Sequence, residues 1–95
     1  MRLVTLTERF CKRRQALAPS GEAGKAVGRC AAALARDDLP TVQDAEASMP
    51  PSATYWFRRV PDVNLWIWFS FDDERVYLVH LGNKPPVPID RSSDD

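Results

Sequence analysis

The chain has two cysteines, one histidine, four glycines and no long apolar run in its 95 residues, and each scarcity removes a class of protein. Cys11 and Cys30 are too few and too widely spaced for a zinc site. They read as two buried structural thiols in a reducing compartment. A cysteine nucleophile paired with histidine would have to use His80, and nothing in the pattern favours that pairing. The longest apolar run, Leu65 to Phe71, falls well short of the roughly 20 residues that cross a bilayer. The opening MRLVTLTERFCKRR has too short an apolar segment for a secretory signal and no cleavage site of small residues. A cytoplasmic protein without membrane contact is expected. There is no Walker loop, no paired metal ligands and no serine-histidine-acid spacing, so no metal and no cofactor is expected.

What the chain does have is segregated charge. Its formal net charge is zero, yet residues 1–36 carry eight Lys or Arg against Glu8 and Glu22, a net +6. Residues 37–54 carry four acids and no base, and the last six residues are again acidic. A basic face flanked by an acidic segment follows, and basic faces attract anionic partners. The length fits a single domain, read as residues 1–89, with 90–95 as an acidic tail.

Along the chain, Arg2 to Leu6 alternates as a short first strand, and Thr7 caps a helix that runs from Glu8 to about Ala18, before Pro19. Phe10, Cys11, Leu17 and Ala18 form its narrow apolar stripe, and Arg9, Lys12, Arg13 and Arg14 make the rest basic. Ser20 is placed to cap a second helix that stops before Pro40; on it Ala23, Val27, Cys30 and Leu34 share a face, beside a strip of Gly24, Gly28 and Ala31 that admits close packing. The two helices form a hairpin that brings Cys11 near Cys30. Residues 37–54, with Pro50 and Pro51 near their end, read as a surface loop.

From Thr54 the period changes to two. TYWFRRV is a strand, PDVN a turn, and Leu65, Ile67, Phe69 and Phe71 face one side of a strand whose other side holds Trp66, Trp68 and Ser70. Asp72 to Arg75 reverses the chain into Val76 to Leu81. The expected class is α+β: a helical hairpin packed on one face of a small, mainly antiparallel sheet in the order β-α-α-β-β-β. The aliphatic and phenylalanine side belongs against the helices, leaving Trp66 and Trp68 to a second face.

With that order in place, VTLTERF, the basic strand YWFRRV, the strand ending in FDDE and the last strand VYLVHLGNK resemble the RelE/ParE superfamily of toxins from bacterial toxin-antitoxin modules. The resemblance covers roughly residues 2–86. It implies a toxin held by a cognate antitoxin, either a metal-independent endoribonuclease that cuts mRNA in the ribosome or a ParE-like inhibitor of DNA gyrase. It also admits an inactive relative serving as a protein-binding module. The RelE-like reaction needs a base, cations for the phosphate and an acid for the leaving oxygen.

On these grounds Arg58, Arg59, His80 and Lys84 are the expected catalytic residues. His80 has an ordinary pKa that suits either base or acid, and Lys84 supplies a point charge where the family has an arginine. Trp66 and Trp68 are expected to stack on bases or anchor a partner. Arg9, Lys12, Arg13, Lys25 and Arg29 are expected to touch nucleic-acid phosphates. The chain departs from the family at Trp66, where an arginine is common, and in lacking a C-terminal tyrosine.

Overall fold

The computed structural model describes residues 1–49 and 53–84. Its elements are β1 (Leu3–Leu6), α1 (Glu8–Leu17), α2 (Gly21–Arg36), β2 (Asp44–Met49), β3 (Ala53–Arg59), β4 (Trp66–Phe71) and β5 (Arg75–Gly82). The sheet order is β1-β5-β4-β3-β2. Only the β1–β5 pairing is parallel among these neighbours. The α+β class and the sequence of elements are as the periodicity implies. The boundary at residue 89 and the tail 90–95 lie outside the described residues.

One strand is additional. Residues 44–49 pair with β3 as an antiparallel edge, where the acidic composition reads as loop. DAEASM does alternate polar and small apolar residues, but Asp, Glu and Ala have weak strand preference in isolation. Pairing to the aromatic β3 overrides it. Thr41 and Asp44 do meet, Thr41 N–H and hydroxyl donating to Asp44 Oδ2 at 2.7 and 3.1 Å. They close a turn that leads into β2.

The helices begin and end for identifiable reasons. Thr7, in extended backbone, accepts the Phe10 N–H on its hydroxyl at 3.2 Å, and Glu8 complements the positive end of α1. Ser20 occupies the cap position of α2 but makes no side-chain cap bond. Gly21 stands at φ 71°, a left-handed conformation that a side chain resists. Gly24 lies against the Ala18 carbonyl, where an added β-carbon would sit 3.3 Å from the oxygen. Close approach is therefore confined to Gly24, since Gly28 is exposed with open space beside it.

The core lies between the helices and one face of the sheet. Phe10 from α1 and Ala18 at its C-cap, Val27, Cys30 and Leu34 from α2, Ile67 and Phe69 from β4, and Val76, Leu78 and Leu81 from β5 are buried together. Cys11 is exposed while Cys30 is buried, and neither forms a disulfide. The expectation of two buried thiols therefore fails at Cys11, which rides the solvent side of α1. No helix of the described residues is long and apolar enough to cross a membrane.

A bulge decides which side chains face away from the helices. Trp68 pairs with His80 and Phe69 with Leu78, so Val79 is the extra residue on β5. Strict alternation from Val76 and Leu78 would send His80 into the core. With Val79 inserted, Leu81 takes the inward place, and His80 turns out beside Trp68. Thr7 holds the bulge: its N–H donates to the Leu78 carbonyl at 3.1 Å, and its hydroxyl reaches the Leu78 and Val79 carbonyls at 2.9 and 3.3 Å.

Candidate functional site

Arg58 and Arg59 are adjacent in β3 and go to opposite faces. Arg58 pairs with Ile67 and Asp44 on the helix side and is only 3% exposed. Its Nε donates to Asp44 Oδ1 at 2.6 Å, Nη2 donates to Asp44 Oδ2 at 2.9 Å, and Nη1 donates to Asp37 Oδ2 at 2.8 Å. Nη2 also reaches the Thr41 hydroxyl at 3.1 Å. Burial alone would lower the guanidinium pKa; the hydrogen bonds and charges of Asp44 and Asp37 outweigh it and raise it. Arg58 is a structural cation clamping the 37–44 segment to β3, away from Arg59 and His80. The expectation that Arg58 is catalytic fails here: it is enclosed on the helix side, where a buried charge must be paired, and its donors are taken by Asp44, Asp37 and Thr41.

Beside this cluster, burial pushes the Cys30 thiol up to about 11, with Arg58 opposing and Asp44 and Asp37 adding to the rise. It is a packing thiol rather than a nucleophile. A cleft of about 100 Å³ lined by Arg29, Cys30, Gln43, Arg58 and Pro61 lies on this helix side.

The other face is built differently. Phe57, Trp68 and His80 lie opposite one another on β3, β4 and β5. Phe57 and Trp68 have ring centroids 6.0 Å apart at 44°, and Trp68 and His80 are 6.3 Å apart, edge to face. All three are half-buried. Arg59, Trp66 and Gly82 form the next row; Arg59 is exposed, whereas Trp66 is buried. Trp66 is thus a packing residue, and of the two expected stacking tryptophans only Trp68 offers a surface.

His80 is the chemical centre of this face. Its Nδ1 is buried without a hydrogen-bond partner among the described residues. Burial, and then the charges of Arg9 and Arg13 on α1, lower its pKa to about 4. At neutral pH the ring is uncharged, which suits a proton acceptor and excludes a standing acid. Arg13 is oriented by donating from Nε to the Leu81 carbonyl at 3.0 Å.

Lys84 is exposed two residues beyond β5. Lys12 is paired with Glu8 at 3.5 Å on the open surface of α1, an interaction worth about 0.3–0.5 kcal/mol. Lys25 and Arg29 are exposed on α2, in the helix layer, and do not join His80. The structure therefore gathers His80, Trp68, Arg9 and Arg13, with Arg59 and the buried Trp66 one row away, and separates Arg58, Lys25 and Arg29 from them. Sequence reasoning passed over Phe57, Thr7 and the carboxylates of Asp37 and Asp44. The last two had a signal: an arginine facing the inner side of an apolar strand requires acids, and the acidic segment precedes it.

Among the described residues no group of three or more His, Cys, Asp or Glu is placed to hold a metal ion. No family model, curated protein or solved structure matches the chain.

Proposed function

We propose that this chain is a RelE-like toxin of a toxin-antitoxin module, acting in the cytoplasm as a metal-independent endonuclease on ribosome-bound mRNA and restrained by a cognate antitoxin. The observation that carries the reading is the neutral imidazole of His80 set between Trp68 and the cations Arg9 and Arg13. In this scheme His80 accepts the proton of a 2′-hydroxyl, whose oxygen attacks the adjacent phosphorus. A 2′,3′-cyclic phosphate forms as the P–O5′ bond breaks, and the leaving 5′-oxygen takes its proton from water, to which His80 later returns the proton it accepted. Arg9, Arg13 and Arg59 offset the phosphate charge as it grows, and Lys84 adds a point charge at the strand end.

The low pKa of His80 belongs to the ligand-free protein. Burial is the larger cause and the charges of Arg9 and Arg13 the smaller; a phosphate against the two arginines offsets the charge part and favours proton uptake by His80. Induction in a bacterial host tests the reading: translation stops and transcripts acquire breaks within codons, whereas a His80→Gln chain leaves them intact. A second reading, a ParE-like gyrase inhibitor, draws on the sequestration of Arg58, which leaves Arg59 as the exposed arginine of β3. Intact mRNA together with induced DNA damage would select it.

A further inference from the structure

We infer that Phe57 and Trp68 form a stacking platform for the unpaired bases of single-stranded RNA, on the face of the sheet turned away from the helices. The inference rests on the endonuclease reading and assigns how its substrate is held. Three observations meet here. Phe57, Trp68 and His80 make a continuous aromatic row across three strands, half-buried rather than sealed. The row ends at the imidazole that has a buried, unpartnered nitrogen. The charge around it has one sign.

The strand residues on this face include Tyr55, Phe57 and Arg59 on β3, Trp66, Trp68 and Ser70 on β4, and Tyr77, His80 and Gly82 on β5. None is acidic. Arg9 and Arg13 adjoin the His80 end, and Asp72, the carboxylate that touches the face through the Tyr77 hydroxyl, belongs to the β4–β5 turn at the opposite end. An occupant with flat apolar groups joined by negative charges fits this pattern, and a run of unpaired nucleotides has that chemistry. An aromatic row is tolerant of base identity, so sequence preference is expected to be weak. A base lying on Trp68 brings its own ribose and phosphate toward His80 and the two arginines, which joins binding to cutting.

The test is binding of the purified full chain to a fluorescein-labelled, unstructured 2′-O-methyl RNA 12-mer, which cannot be cut, beside separate measurement of mRNA breaks on translating ribosomes. Trp68→Leu and Phe57→Leu keep apolar volume and should each weaken binding about tenfold or more. Arg9→Gln should reduce the slope of log affinity against log salt by about 0.7. The same oligomer in duplex form should bind more weakly. Circular dichroism and thermal melting establish that each variant folds, and for a variant that does not fold, protection of Phe57 and Trp68 from hydroxyl-radical oxidation by the oligomer in the wild-type chain, read residue by residue by mass spectrometry, gives the same answer. Equal binding by folded wild-type and variant chains overturns the platform, as does preference for the duplex or for an acidic peptide. Breaks that persist with unchanged binding in both Leu variants overturn the platform and leave the endonuclease reading standing. Binding that follows the predicted pattern without any breaks supports the platform and removes the endonuclease reading.

Discussion

The two faces of the sheet solve opposite problems with similar residues. On the helix side a cation is enclosed and four of its five N–H donors are satisfied by Asp44, Asp37 and Thr41. On the other side Arg59 is exposed, and His80 keeps a buried nitrogen without a partner among the described residues. The first arrangement fixes a fold; the second leaves Arg59 open to solvent and the His80 Nδ1 enclosed with its hydrogen-bonding capacity unmet. Arg58 and Arg59, one residue apart, show that sheet face rather than residue type sets the role of a side chain.

The largest effect that sharpens this comparison is on the enclosed side. Asp44→Ala strands the Arg58 charge and is expected to lower unfolding free energy by about 3–5 kcal/mol, measured by urea denaturation. Replacing both partners with apolar residues of similar volume should recover most of the loss. Phe69→Ala, in the core, should cost about 3–5 kcal/mol, whereas Phe57→Leu on the other face should change stability by much less and act on binding instead.

The intermediate effect concerns Thr7. Its substitution by alanine removes a helix cap, for about 1 kcal/mol, and also releases the Val79 bulge. Activity should fall further than stability explains, and restoration by Thr7→Ser would identify the hydroxyl as the agent.

The sequence made the strand and helix order legible because the period shifts from near 3.6 to two at residue 54, and the caps at Thr7 and Pro19 are local. It did not show the bulge: alternation through VYLVHLG places His80 with Val76 and Leu78, and a single inserted residue reverses that. Nor did it show where Arg58 goes, since its partners are 14 and 21 residues away and meet it only once β2 has paired. Trp66 and Trp68 share one side by period, yet one is buried and the other offers a surface, a difference set by neighbours in space. The aromatic row proposed as the stacking platform was half visible, through Trp68 and His80, and Phe57 joined it only through cross-strand register.

The pH effect is carried by His80. The folded pKa of His80, about 4, lies below the ordinary 6.5, so between these values the unfolded chain binds the proton more readily. Its contribution to stability is complete above about pH 6.5 and diminishes as pH falls toward 4. Thermal melting from pH 7 to 4 should decline less in His80→Gln than in wild type. Smallest of all, Lys12→Ala should alter stability by no more than about 0.5 kcal/mol.

His80 is the single histidine, so its imidazole proton resonance can be followed alone, and its NMR titration tests the account most directly. The account predicts a midpoint near 4 in the free protein and a clear upward displacement when the uncut 2′-O-methyl RNA is bound. A midpoint near 6.5 that RNA leaves unmoved would contradict it, because His80 would then be neither held neutral by burial and the charges of Arg9 and Arg13 nor adjacent to the bound phosphates.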